Sequence, residues 1–293
     1  MSHMKGVLAV VLLAVGLTVS ASAQGSSAFR IAYYGSVHGL WQVFTVSSAG
    51  GQPHRLTSGT LNSADPALSR GGARIAYDKG SDGDGTSDIW TMNADGTNKR
   101  RLTSTSHIAE YNPSWCPDGS KIAFDAGKGV WVMNRDGSGR HRLTSTTFSY
   151  GAPSWSPDGT KLVYSSYPQF SSTGQLYIVS VATGRVHSLV KGFAPAWSPN
   201  GKTIVFSRKT SVTASDLWLV NADGTNLRRL TNTSTRFEVF SSWSPDGSQI
   251  AVWAEGDGTQ PDEMALYLMN KDGSNSHPLG VTTTSRWWGG LGS

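Results

Sequence analysis

Residues 153–159 read PSWSPDG, and the string returns as PSWCPDG at Pro113, PAWSPNG at Pro195 and SSWSPDG at Ser241, with a worn copy, PALSRGG, at Pro66. Each copy is followed by an apolar triplet opening at Ile75, Ile122, Leu162, Ile204 or Ile250, and Ile31 opens a sixth triplet with no such string before it. Further along each period stands an aromatic residue, Phe44, Trp90, Trp131, Tyr177, Trp218 or Tyr267. Twelve residues beyond each comes a leucine: Leu56, Leu102, Leu143, Leu189, Leu230 and Leu279. Every period thus carries four short runs, A to D, rich in aromatic and β-branched residues and separated by turn strings such as SPDG and NADGTN. In those turns proline presets φ, aspartate bonds the neighbouring backbone and glycine accepts a positive φ. Four strands per period, six times over, predict an all-β chain: a six-bladed β-propeller of four-stranded blades.

The first period lacks run A, since Phe29 and Ile31 open directly in run B, whereas the chain continues past Leu279 through TTTSRWW. Trp287 stands as far beyond Leu279 as Trp197 stands beyond Leu189. The spacing predicts that the C-terminal segment supplies strand A of the first blade and closes the ring, which removes unpaired edges. The strings xWSPDGxxIAF and IWxMNADGTNxRRLT resemble the TolB-type propeller repeat of bacterial exported proteins, over about residues 29 to 288. Related blades precede the hydrolase domain of prolyl oligopeptidase and dipeptidyl peptidase relatives. No counterpart of the N-terminal α/β domain of TolB lies between Ala23 and the first strand, and neither a GxSxG nor an HExxH string occurs. The resemblance implies a propeller that binds a ligand whose identity it leaves open.

Of 293 residues, 38% are hydrophobic and 15% charged, a composition for a folded core. The one cysteine excludes an internal disulfide and a cysteine metal cage. Residues 1–23 read as a secretory signal: Lys5, the apolar stretch 6–19, then the small-x-small site Ala21, Ser22, Ala23. The apolar stretch falls short of the ~20 residues that span a bilayer. The expected product is residues 24–293, a single domain exported to the periplasm or beyond, with no membrane anchor after cleavage. The net charge of +5 does not point to nucleic acid, because Arg55, Arg101, Arg142 and Arg229 each immediately precede a phased leucine. That phase spreads them around the outer strands as a solvated rim, without the clustering a nucleic-acid tract needs.

The gap from the A residue to the B residue is seven in every visible copy, but B to C runs from nine to seventeen and D to A from eight to thirteen. In an up-and-down blade the B–C and D–A loops emerge on one face, so that face is the expected binding surface. Its connectors carry His107, Glu110 and Tyr111, then Phe148 and Tyr150, then Phe193, then Arg236, Phe237, Glu238 and Phe240, and finally Arg286. Aromatics with adjoining charges at a channel mouth suit a peptide or a sugar ring, while inter-blade packing is the competing role for each aromatic. The phased tryptophans at 90, 115, 131, 155, 197, 218 and 243 read as core.

His54, His141, His187 and His277 share one outer-strand phase and cannot converge on one ion, so no histidine-built metal site is expected. The loop SDGDGTSD offers Asp82, Asp84 and Asp88 to a hard cation such as calcium, a weak site without the closing glutamate of an EF-hand; no other cofactor is expected. Cys116 reads as a repeat variant of serine. These features together predict a monomeric, non-catalytic scaffold for a protein or peptide partner in the cell envelope. The alternatives are a propeller-type glycan- or lactone-processing enzyme and a carbohydrate-binding lectin.

Overall fold

Runs of alternating large apolar and polar residues this short become strands only when a neighbour covers their apolar face, and the repeat supplies that neighbour six times. In a computed structural model the described residues are 18–21, 28–80, 86–127, 129–145, 151–166, 174–211, 214–233, 236–255 and 263–284. Blade 1 holds β1 (Thr18–Ala21), β2 (Phe29–Val37), β3 (Leu40–Ser47) and β4 (His54–Arg55), and blade 2 holds β5 (Ser63–Leu68), β6 (Arg74–Gly80), β7 (Ser87–Asn93) and β8 (Arg100–Arg101). Blade 3 follows with β9 (Glu110–Trp115), β10 (Lys121–Ala126), β11 (Val130–Asn134) and β12 (His141–Arg142). Blade 4 is β13 (Ser154–Trp155), β14 (Lys161–Ser166), β15 (Gln175–Ser180) and β16 (Val186–Lys191). Blade 5 is β17 (Phe193–Trp197), β18 (Thr203–Lys209), β19 (Ser215–Asn221) and β20 (Arg228–Arg229). Blade 6 is β21 (Glu238–Trp243), β22 (Gln249–Glu255), β23 (Glu263–Asn270) and β24 (His277–Thr284). Each blade is one antiparallel sheet with its strands in chain order, so the chain is the six-bladed propeller its periodicity predicts.

The register follows the phase. Leu68 pairs with Ile75, Trp115 with Ile122, Trp155 with Leu162, Trp197 with Ile204 and Trp243 with Ile250. All six residues that open the B triplets are fully buried. Each hydrophobic cluster straddles a blade boundary: Trp155 of blade 4, for example, packs with Cys116, Ala123 and Val132 of blade 3. Its indole N–H donates to the Ser114 carbonyl at 3.0 Å, and Trp243 donates likewise to Ala196 at 3.2 Å. The tryptophans of strand C are less covered than expected. Trp90, Trp131 and Trp218 are half-buried, because the adjacent strand D is only two residues long, and Lys79, Arg140 and Arg208 lie over their rings.

Ring closure departs from the expectation. The inner strand of blade 1 is β1, with Thr18 opposite Ala32, Val19 opposite Ile31 and Ala21 opposite Phe29. Val19 thus takes the position that a tryptophan or leucine holds elsewhere, because the β-branched TVSA stretch meets the free edge of β2 in suitable register. Residues 285–293, with Arg286 and Trp287, lie outside the described residues. The seam between blades 6 and 1 is closed by side chains: Phe29, Ile31 and Tyr33 pack with Trp253, Leu266, Leu279 and Val281.

Candidate functional site: the channel and its loop-bearing mouth

Strand A lines the centre of every blade and runs from the variable loops to the fixed A–B turn. Five consecutive A strands bend at one position, where a non-glycine residue adopts a left-handed backbone: Asp65 (φ 45°), Asn112 (52°), Ala152 (35°), Ala194 (49°) and Phe240 (52°). Four of the five precede proline. The ladder shifts register there in blades 2, 3, 5 and 6. The benefit is visible in blade 4, whose bend aims the N–H groups of Gly151 and Ala152 at Asp125 Oδ2 of blade 3, at 2.8 and 3.1 Å. All five residues line a channel cavity of about 120 Å³ shared with Pro66, Pro113, Pro153, Pro195, Ser241 and neighbours.

Behind this ring stands a second one, the residue three places after each B-triplet opening: Tyr34, Asp78, Asp125, Ser165, Ser207 and Trp253. Taken blade by blade, the two rings make a graded wall. Blade 3 sets Asn112 Nδ2 as donor to Asp125 Oδ2 at 3.0 Å, an amide–carboxylate pair. Blade 2 sets two buried carboxyls together, Asp65 and Asp78, joined by a side-chain hydrogen bond. Burial pushes Asp78 up to about 7, which leaves the pair sharing a proton near neutrality. Burial also raises the Tyr34 hydroxyl well above its ordinary range, and the charges of Asp65 and Asp78 add to that. Blades 4 and 5 place Ala152 with Ser165 and Ala194 with Ser207, and blade 6 places Phe240 with Trp253. The channel is therefore acidic on one side and neutral to aromatic on the other.

The connector residues expected at the mouth divide by role. His107 and Tyr111 are exposed, beside exposed Ile108. Glu110 is buried and accepts from Thr105 Oγ1 at 2.7 Å and Arg140 Nη1 at 2.8 Å. Glu238, at the matching place in blade 6, accepts from Thr231 Oγ1 and from the Leu217 N–H, and burial raises its carboxyl. Phe193 is buried and stacks with Phe237 at 6.3 Å, Phe240 lies in the same cluster, and Arg236 covers the Tyr267 ring at 5.1 Å. Phe148, Tyr150, Asp82 and Asp84 lie outside the described residues. Asp88 is buried, paired with Arg101 Nη2 at 2.5 Å and accepting from the Thr105 N–H at 3.2 Å.

That pairing revises the picture of a purely solvated rim. Arg229 makes the same ion pair with fully buried Asp216 in blade 5, diametrically across the ring from blade 2. Both arginines also donate through Nε to a threonine carbonyl two residues on. His54, His141, His187 and His277 are exposed on outer strands, and among the described residues no three His, Cys, Asp or Glu side chains gather as a metal group. Cys116 is buried, and burial pushes its thiol up to about 11. The acid pair is invisible in the Pro-x-Trp string itself. The residue before each proline, and the one thirteen places after it, carry the signal.

The family model described as TolB beta propeller domain matches residues 19–191 and 129–287. Among solved structures, the chain is similar to TolB from Acinetobacter baumannii, with a TM-score of 0.70 and 21% identity over 83% of this chain and 61% of that one. It thus spans less than two thirds of that protein's length. A putative TolB from Agrobacterium tumefaciens gives 0.66 and 18%, over 80% of this chain and 85% of that one. Oligogalacturonate lyase from Vibrio parahaemolyticus gives 0.57 and 17%, over 85% and 71%. No curated protein matches the chain.

Proposed function

Because the chain belongs to the TolB β-propeller family, we propose that it is an exported, non-catalytic scaffold that receives a protein or peptide partner of the cell envelope at the loop-bearing mouth of its channel. The observation that carries this reading is the coincidence of three features on one face. There the loops vary in length, His107, Ile108 and Tyr111 stand exposed, and the mouth leads into a channel with one acidic and one apolar side. A rigid ring presenting exposed aromatic and aliphatic anchors above a channel suits an extended segment, whose side chains fill pockets while its backbone stays hydrated. Residues 1–23 supply the export signal in this reading, so cleavage after Ala23 removes β1 and frees the inner edge of β2 in the exported chain; no described helix is long and apolar enough to cross a membrane. No cofactor enters the role.

The test is retention of cross-linked envelope proteins by the protein expressed from its full coding sequence. Tyr111→Ala with Ile108→Ala should abolish retention of the captured partner. Arg142→Ala with His187→Ala, both on exposed outer strands, should leave it intact. Equal loss with the two pairs would remove the assignment of the mouth as the binding surface.

A further inference from the structure

The acid pair of blade 2 needs a reason, because the fold has a cheaper solution to the same position. In blade 3 the equivalent residues are Asn112 and Asp125, an amide donating to a carboxylate at 3.0 Å. In blades 4, 5 and 6 they are neutral. The bend in strand A therefore does not require two carboxyls. A buried pair of acids that must hold a proton between them is destabilising at neutral pH unless a cation resolves it. The nearest basic residues of the same blade in sequence and pairing are engaged elsewhere. Lys79, the residue after Asp78, lies 4.9 Å over the Trp90 ring, and Arg101 is tied to Asp88.

The rest of the cavity shows what kind of cation it takes. Asp65 lines it, and so does Ser241 of blade 6, a buried residue whose hydroxyl has no hydrogen-bond partner among the described residues. Four prolines, Ala152, Ala194, Ala196 and Phe240 make up much of the remaining lining, an apolar surface suited to methylenes. A space of about 120 Å³ admits the tip of a side chain or a chain end but not a folded element. We propose that the channel binds a primary ammonium group, delivered by a lysine side chain or by a free peptide N-terminus, with Asp65 and Asp78 as its counter-charge and Ser241 as a further acceptor. The inference rests on the reading that the mouth receives a peptide, and names the feature of that peptide which enters the channel. An ammonium presents three N–H donors; the Asp65 carboxylate and the Ser241 hydroxyl line the cavity as acceptors, and Asp78, bonded to Asp65 from behind, adds its charge.

Binding is linked to protons. The bound ammonium keeps its charge, and the proton shared by Asp65 and Asp78 is released to solvent, so affinity rises with pH through the range in which the pair would otherwise hold that proton, until the amine itself deprotonates, at about pH 8 for a peptide N-terminus and above about 10 for lysine. The groups beside the pair are Tyr34 from β2, whose hydroxyl feels both carboxyls, and neutral Asn112 from β9, which lines the same cavity as Asp65. The raised hydroxyl of Tyr34 stays neutral throughout that range.

The probes are three short peptides measured by titration calorimetry: alanine tetrapeptide amide with a free N-terminus, its N-acetyl form, and acetyl-Ala-Lys-Ala-amide. At pH 7, where both probes are ammonium ions, at least one of the two ammonium-bearing peptides should bind about tenfold tighter than the acetylated one, and which of them does so names the source of the group. The preference should shrink at pH 5. Asp65→Asn combined with Asp78→Asn should abolish the preference while leaving the acetylated peptide's affinity unchanged. Ser241→Ala should weaken the preferred peptide severalfold in an otherwise unaltered fold. Equal binding of acetylated and free forms overturns the ammonium site and leaves the peptide scaffold standing. Binding of none of the three overturns both.

Discussion

Replacing Asp65 by asparagine should change how stability depends on pH in a way fixed by the geometry of blades 2 and 3. In the native chain, burial lifts Asp78 from 3.8 to about 7. The folded value lies above the unfolded one, so this group's contribution is fully present below pH 4 and is lost as pH rises through 7. Roughly three units at 1.36 kcal/mol each set the scale at about 4 kcal/mol between pH 4 and pH 8, with a limiting slope of about 1.4 kcal/mol per pH unit. The introduced asparagine would face Asp78 as Asn112 faces Asp125, donating an amide hydrogen bond to an ionised carboxylate. Burial of Asp78, the main cause of its raised value, persists in the variant, so the slope should shrink without vanishing as the second buried carboxyl is removed, and the variant should be more stable than the native chain at pH 8. Urea midpoints at pH 5, 6, 7 and 8, at equal m-values, measure it. The turn aspartates do not confuse the reading. Hydrogen bonds from the neighbouring serine or threonine lower the carboxyls of Asp95, Asp118, Asp136, Asp158, Asp223, Asp246 and Asp272. Their contribution is present above the unfolded value and lost only as pH falls below about 4. An unchanged slope between pH 5 and 8 in the variant would refute the shared-proton pair.

Arg229→Ala should cost about 3 kcal/mol, since it strands the buried carboxylate of Asp216, and adding Asp216→Asn should recover most of the loss; chemical denaturation of the single and double variants checks both. A chain beginning at Gln24 lacks β1 and leaves the inner edge of β2 unpaired, so its thermal midpoint should fall several degrees below that of the full chain. Equal midpoints would mean that another segment takes the place opposite Ile31.

The fold is legible because the repeat punctuates itself. The Trp of strand A, the Ile opening strand B, the aromatic of strand C and the Leu beyond strand D keep fixed spacings wherever turns are fixed, and the register obeys them pair by pair. Closure is not legible in the same way, because the phase of Trp287 and the strand propensity of TVSA both fit one vacant edge, and spacing alone does not rank them. The rim arginines mislead for another reason. Their partners, Asp88 and Asp216, stand thirteen residues earlier at the start of strand C, and only the antiparallel pairing of strands C and D brings them alongside. The channel acids lie in the repeat in plain view, but a lone Asp before a proline carries no chemistry until strand B sets a second carboxyl beside it.

Five of the six blade boundaries are crossed by the polypeptide itself, in the connectors that lead from one strand D to the next strand A. The sixth, between β24 and β2, is crossed by no peptide bond among the described residues and is held there by side chains such as Tyr33 against Trp253, whose rings lie 5.7 Å apart edge to face. The molecule is in that sense a split collar. Among the described residues, an outward push from anything wedged in the bore is shared by covalent links at five joints and by packing at the sixth. The collar should therefore spring at the seam, beside Tyr34, and widen the bore on the side where the acid pair sits.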